Sequence, residues 1–466
     1  MTVSMIIAVT IGLLLLFLAS RFPIALALGL SGACGLILLK GTGYTGSVLG
    51  SVSFSQTYSF GLTIIPMFIL MGLFAVRANV AEYVYTIAAR AVRRAPGGLG
   101  VATVMACAGF AAVSGSSIGT AATMSKLSIA QMRRHGYPAS LASALVAVAG
   151  TLGVMIPPST FLVLYAIMTS TSVAQMLAGG VVPGLLSAAA YITYIMTLGA
   201  RRIGRSTDPE DLQGAVGDAQ AEVAAGSGLA PSDDLESPRP WRSLPWQGLV
   251  YIAILFSIVL GGMYSGIFTS TESAAIGALA AVVILVFENR RRGLRGITTE
   301  VRHALQDTAA TTSMVFFIII GSAILSAFFI AARVPQSITQ AVTAVDLPPT
   351  LTMALLLACL IPLGMALESL SILVITVPIL YPIAMEYGFD GVWLGILIVK
   401  LIEIGMVTPP VGINAFVVAG SAGLRTDTVF RGLLPLFLVE LVVVVILFVF
   451  PQLSLFLPSL VNPAAG

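Results

Sequence analysis

Two proline pairs sit inside apolar stretches of this 466-residue chain, Pro157-Pro158 in GVMIPPS and Pro409-Pro410 in GMVTPPVGIN. A proline pair removes two backbone donors and clashes with the preceding turn, so a helix that reaches it must open. Carbonyls freed at membrane depth, together with the ends of the two half-helices, are suited to a cation and an anionic solute. The spacing argues against two unrelated packing kinks. Gly136 is followed 17 residues on by Gly153 and 21 residues on by the first pair, and Gly388 stands in the same relation to Gly405 and the second pair. Just past the pairs, Ser159 and Asn414 offer side-chain oxygens that would complete a coordination shell or tie helices together.

Each unit is preceded by an apolar stretch interrupted by polar or small residues. In the first, Ser114, Gly115, Ser116 and Ser117 crowd hydroxyls into one short run. Hydroxyl and carbonyl oxygens suit a hard cation such as sodium, while small residues also serve close helix packing. The run is a formal G-x-S-x-G match with Ser117 as nucleophile. The only histidines, His135 and His303, fall in polar segments, and the strand-turn-helix context is missing, so no catalytic residue is expected. In the second stretch Glu368 and Ser369 follow Gly364 among apolar neighbours; an ionisable group at membrane depth is costly and by default functional, with helix capping as its alternative role. Lys400 and Glu403 lie one helical turn apart and are expected to neutralise each other. Glu272, after Phe268-Thr269-Ser270-Thr271, reads as a helix cap.

These residues need helices to carry them. Hydrophobic residues make up 58% of the chain and charged ones 9%, with a mean hydropathy of +1.01, whereas a soluble domain is about a quarter charged. The fold class is therefore an all-α membrane protein. Apolar runs near 4–20, 23–39, 54–76, 138–171, 176–200, 246–266, 272–288, 311–331, 391–421 and 432–455 predict ten spans. The stretches 98–124 and 350–381 predict re-entrant hairpins, because an interrupted backbone is tolerated at membrane depth only where protein or water satisfies it. With the N-terminus outside, all but Lys40, Arg333 and Lys400 of the 23 Lys and Arg fall on the cytoplasmic side, which orients the chain with both termini periplasmic. The two hairpins then enter from opposite faces, giving an inverted repeat with halves 1–205 and 243–466. The broken helices of the two halves are 138–171 and 391–421. Between them 206–242 carries eight acidic residues among Pro, Gly, Ala and Ser and reads as a cytoplasmic tether. The net charge of +3 forms no stripe, which excludes nucleic acid. Cys34, Cys107 and Cys359 are too far apart for a metal site and read as small core residues.

SGSS followed by GVMIPPS, then GIFTSTESAA, PILYPIA and GMVTPPVGIN, resembles the large membrane subunit of tripartite ATP-independent periplasmic transporters, the DctM-like family. The likeness covers almost the whole chain. It implies an elevator-type, ion-transporter-superfamily-like fold whose mobile part holds both hairpins and both broken helices. It implies import of an organic anion, a carboxylate or sulfonate, across the inner membrane with sodium as coupling ion and no other cofactor. Sodium is expected near Ser114, Ser116, Gly364, Thr408 and Gly412, and the wider site to include Pro157, Pro158, Ser159, Glu368, Ser369, Pro409, Pro410 and Asn414. The implied partners are a small four-helix DctQ-like membrane subunit on a separate polypeptide and a periplasmic substrate-binding protein. The residues alone leave open a stand-alone carboxylate or ion antiporter of related inverted-repeat fold, a channel, and, remotely, an intramembrane serine hydrolase.

Overall fold

The computed structural model describes residues 2–461 apart from 21, 59, 204–243, 335, 336, 338–346, 410 and 411. The acidic tether expected at 206–242 and Pro410 thus lie outside the described residues. Among the described residues every regular element is a helix. Six helical stretches are long and apolar enough to cross a membrane, or seven with the bent pair Ala139–Met155 and Thr160–Thr169 counted as one span. Val3–Leu18 and Ile24–Lys40 are apolar but shorter.

One group of helices comprises α1 (Val3–Ala19), α2 (Ile24–Lys40), α3 (Thr42–Thr57), α4 (Ile64–Arg77), α5 (Val80–Ala91), α11 (Gln247–Phe256), α12 (Ser270–Asn289) and the 39-residue α13 (Gly293–Ala331). Small residues bring α2 and α13 together: a Cβ on Gly32 would stand 2.7 Å from the Leu325 Cα, and one on Gly321 would stand 2.2 Å from the Ala25 carbonyl. Close backbone approach of this kind replaces the hydrophobic drive that lipid does not supply. The start of α12 has the expected cap, since Thr269 Oγ1 accepts from Glu272 N at 3.3 Å and Thr269 N donates to the Glu272 carboxylate at 2.8 Å. Two expectations change here. The stretch 42–57 is a helix of its own, so the span expected to begin at 54 begins at Phe60. Cys34 is exposed along with Cys359, and only Cys107 is a core residue.

The second group holds the breaks. Helix α6 (Gly98–Ser114) turns at Gly115 into α7 (Ser117–Met124), which runs on through Ser125–Ile129 and Ala130–Arg134. Helix α8 (Ala139–Gly150, continued by Leu152–Met155) breaks before α9 (Thr160–Thr169), and α10 (Val173–Tyr194) follows. In the other half α14 (Pro349–Ala358, continued by Leu360–Ala366) turns at Leu367 into α15 (Ser369–Glu386). Helix α16 (Gly391–Val407) breaks before α17 (Ile413–Ala422), and α18 (Thr426–Val449) and α19 (Gln452–Leu460) close the chain. The second arms of the hairpins extend past the expected limits of 124 and 381, to Arg134 and Glu386, the second of them running through Pro378 and Pro382, and stop just before Gly136 and Gly388. Those glycines take left-handed backbone, with φ of 80° and 77°, which a side chain would oppose.

The two halves superimpose in sequence number. A shift of 252 residues, that from Gly136 to Gly388, also carries Ser117 to Ser369, Arg134 to Glu386, Ala139 to Gly391 and Met155 to Val407, each at the same helix boundary. Packing is reciprocal as well: α7 lies against α8 and α17, and α15 against α16 and α9. Each hairpin therefore touches its own broken helix and the far half of the other, the exchange expected of a pseudo-twofold pair. Helix α16 is buried from Val392 through Val407 and forms the centre of this group.

Candidate functional site

The breaks expose helix ends in pairs. At the first hairpin Gly115 adopts φ +61° and packs so tightly that a Cβ there would stand 2.8 Å from the Pro158 carbonyl. The hairpin tip thus rests on the first proline pair, whose Pro157-Pro158 peptide is cis. Ser116 caps α7 by accepting from Gly119 N at 3.2 Å, and Ser114 and Thr120 share a hydroxyl hydrogen bond of 2.7 Å. Beyond the proline pair, Ser159 is fully buried and caps α9 by accepting from Leu162 N at 3.3 Å.

At the second hairpin Glu368 caps α15: its carboxylate accepts from Ser371 N at 3.3 Å and from Ser371 Oγ at 3.2 Å. Of the two roles open to Glu368, capping is the one the geometry fills. Gly364 faces Gly405 across the α14–α16 contact, where a Cβ on Gly405 would stand 2.5 Å from the Gly364 Cα. The first-half glycine at the same repeat position, Gly153, makes the equivalent approach, with a Cβ reaching the Ser116 carbonyl at 2.6 Å. The shared 17-residue spacing therefore marks the point where each broken helix admits its hairpin.

At the second break the Thr408 hydroxyl donates to the Ile404 carbonyl at 2.6 Å, and Pro409 is exposed. Gly412 takes φ +47°, and a Cβ there would stand 2.8 Å from the Phe430 ring. Asn414, on the first turn of α17, is fully buried, and neither atom of its amide has a partner among the described residues. A buried amide left unpaired costs on the order of 1–3 kcal/mol.

The residue that joins these pieces is Glu403. Ser117 Oγ and Ser369 Oγ, equivalent by the 252-residue shift, both donate to Glu403 Oε1, at 3.4 and 3.3 Å. The Ser369 hydroxyl also touches the Met406 sulfur. One carboxylate on α16 thus ties the first turns of α7 and α15, where two helix N-termini converge and favour negative charge. Its other oxygen, Oε2, is buried without a partner among the described residues. The expected Lys400–Glu403 pair does not form. Lys400 turns instead toward α10 and α18, donating to Ser187 Oγ at 2.8 Å and pairing with Glu440 of α18 at 2.6 Å, while Tyr191 of α10 donates to the same Glu440. Lys400 and Glu403 are three residues apart, but packing of α10 and α18 against α16 gives the lysine a better partner.

The expected site residues fall into two sets. Ser114, Gly364 and Thr408 lie at C-terminal ends of half-helices, whereas Ser116, Ser117, Ser159, Ser369, Gly412 and Asn414 lie at N-terminal ends. Ser117 and Ser369 are brought together by Glu403. Ser114 bonds to Thr120 within the first hairpin, and Gly412 packs against Phe430. Ser117 has no histidine beside it; its partner is a carboxylate already shared with a second serine, which is no nucleophile-activating arrangement.

The family model described as "Tripartite ATP-independent periplasmic transporter, DctM component" matches residues 11–453. The chain belongs to the DctM family. It is 34% identical to the C4-dicarboxylate TRAP transporter large permease protein DctM of Pseudomonas aeruginosa over 433 residues, covering 93% of this chain and 94% of that one. It is 31% identical to the isethionate TRAP transporter permease protein DctMQ of Oleidesulfovibrio alaskensis, over 96% of this chain and 66% of that protein. Among solved structures, the Alcanivorax borkumensis YdaH transporter is similar in fold, with a TM-score of 0.61 at 15% identity, over 95% of this chain and 98% of that one. This DctM protein is accordingly a multi-pass membrane permease subunit of a transporter.

Proposed function

We propose that this DctM chain imports an organic anion, a carboxylate or sulfonate, into the cytoplasm together with sodium. In this reading the chain crosses the inner membrane ten times with both termini periplasmic, and the two hairpins enter from opposite faces. The observation that carries the proposal is the sorting of site residues by helix end. The C-terminal ends of half-helices, at Ser114, Gly364 and Thr408, present carbonyl oxygens and a negative dipole end to sodium. The N-terminal ends around Ser116, Ser159 and Asn414 present N–H groups and a positive end to the anion. The Glu403 carboxylate is buried, with one oxygen unpartnered among the described residues, and offers a further hard oxygen ligand to sodium. The helices that hold the site form one packed group, as a domain moving in an elevator-like way against the α1–α5 and α11–α13 group requires.

Two partners complete the system: a small four-helix DctQ-like membrane subunit and a periplasmic binding protein that delivers the substrate. Support comes from the large-permease naming of the relatives and from a relative named DctMQ that is about half as long again as this chain. The test is uptake into proteoliposomes holding both membrane subunits, with the binding protein loaded outside. Uptake that persists after the sodium gradient is collapsed would overturn sodium coupling. Uptake by the large subunit alone without binding protein would instead support a stand-alone carrier. Replacing Pro409 and Pro410 by Ala allows the helix to close over the second break and is expected to abolish uptake; a normal rate in that variant would remove the reason for placing the site there.

A further inference from the structure

The rim of the first helix group where α12 meets α13, cytoplasmic in the proposed topology, carries basic charge that no carboxylate in the described residues answers. Helix α12 ends in the turn Arg290–Arg292, followed by Arg295 and Arg302 on α13. Arg292 pairs with Glu300 at 3.6 Å, and Arg290 stacks on the Phe287 ring at 4.2 Å. Arg291, Arg295 and Arg302 are exposed and have no ion-pair partner among the described residues.

The Arg77 carbonyl at the end of α4 accepts from Asn289 Nδ2 at 3.4 Å, while the Arg77 guanidinium reaches Glu300 at 2.9 Å and Asp307 at 2.6 Å. The stretch 293–307, about 21 Å of helix, is tied to the end of α4 by Glu300 and Asp307 and, just before it, by Asn289. The same helix then enters the apolar run 311–331. On 293–307 the carboxylates Glu300 and Asp307 face Arg77. Leu294, Ile297, Val301 and Leu305 form a separate stripe at helical spacing, with Leu294 82% and Leu305 49% exposed. Arg295 and Arg302, seven residues apart, form the neighbouring row. An apolar stripe beside a basic row, on a helix that continues into the bilayer, is the pattern of an element seated at a lipid surface.

We propose that this rim binds an anionic phospholipid of the surrounding bilayer, with its phosphate held by Arg291, Arg295 and Arg302 and its acyl chains lying along the Leu294–Leu305 stripe. Guanidinium forks match phosphate oxygens, and the stripe distinguishes a lipid from free phosphate, which has nothing to place there. At about fivefold in affinity per basic residue near a membrane surface, three arginines give a preference of order a hundredfold over a zwitterionic lipid.

The test is native mass spectrometry of the purified full chain titrated with phosphatidylglycerol or with phosphatidylcholine of the same acyl chains. The wild type is expected to retain phosphatidylglycerol at far lower lipid concentration, R291Q/R295Q/R302Q to fall to the phosphatidylcholine level, and R291K/R295K/R302K to keep most of the preference. Inorganic phosphate in millimolar excess is expected to leave the retained lipid in place. Equal retention of the two lipids by the wild type, or undiminished preference in the glutamine variant, would overturn the proposal. Displacement of the lipid by inorganic phosphate alone would overturn the lipid as the source. Should the glutamine variant fail to fold, the wild-type comparison of the two lipids still decides.

Discussion

Gly405→Ala is the sharpest probe of how the hairpin seats on the broken helix. The added methyl would stand 2.5 Å from the Gly364 Cα, 2.8 Å from the Gly364 carbonyl carbon and 2.8 Å from the Ile361 oxygen, all backbone atoms, where ordinary contact begins at 3.4 Å. No rotamer change relieves the overlap, so α14 and α16 must part by 0.9 Å, the difference between 3.4 and 2.5 Å. Overpacking of this kind costs about 1–3 kcal/mol. The same displacement stretches the Ser369–Glu403 hydrogen bond, already 3.3 Å long, past its useful range and adds about 1 kcal/mol. The expected total is about 2–4 kcal/mol, read as a lower unfolding midpoint of the purified protein, with sodium-driven uptake falling alongside it. Gly46→Ala serves as the reference, because Gly46 lies inside α3 with nothing within 4 Å and should gain about 0.5–1 kcal/mol from helix propensity. A Gly405→Ala protein as stable and as active as the wild type would refute the close α14–α16 contact and the seating drawn from it.

Ser117→Ala and Ser369→Ala each remove one long hydrogen bond to the same carboxylate oxygen and should each cost about 0.5–1.5 kcal/mol. Because they share that acceptor, the double variant should depart from additivity by at least about 0.5 kcal/mol; strictly additive unfolding energies would show that the two hairpins are not joined through Glu403. Lys400→Met leaves Glu440 buried without its cation and should cost about 3–5 kcal/mol, with much of it recovered in Lys400→Met/Glu440→Leu; denaturation of the three proteins side by side checks both halves of this statement. Glu403→Gln keeps an acceptor for both serines but removes the charge, so folded protein should be recovered with uptake lowered at least about tenfold at limiting sodium, a loss of about 1.4 kcal/mol in cation affinity. Unchanged sodium dependence in Glu403→Gln would remove that carboxylate from the coupling argument.

What the sequence displays well are the interruptions. Proline pairs, left-handed glycines and clustered serines act on their own backbone, so Gly115, Ser116, Pro157-Pro158 and Gly412 could be located without knowing what they touch. Capping is equally local, and Glu272 shows it. The stretch 42–57 was harder to read, since its glycines and serines dilute the apolar signal although the chain there is helical. Partner choice over long distance was harder still. Lys400 and Glu403 look matched because they are one turn apart, yet a turn on a fully buried helix points to two different neighbourhoods. The lysine meets α18 and α10, and the glutamate meets the two hairpins. Nothing within a window of that size announces Glu440, 40 residues away.

The repeat register held more than the spacing of its glycines revealed. Carrying the same 252-residue shift through the whole unit would have aligned Ser117 with Ser369 before any contact was known. Symmetry supplies both hydroxyls, but it does not supply two acids. The first-half residue equivalent to Glu403 is Thr151, a buried hydroxyl that donates to the Val148 carbonyl at 2.7 Å and takes no part in joining the hairpins. A carboxylate at the meeting point of two helix N-termini is stabilised by both, and Glu368, which caps the same α15 N-terminus where the first half has Ser116, puts a second acid on the second-half side. The pseudo-twofold frame thus brings equivalent hydroxyls to a shared centre, and the single acid on α16 makes that centre asymmetric. An asymmetric centre is what the proposed site requires, since a cation and an anion would then meet different helix ends.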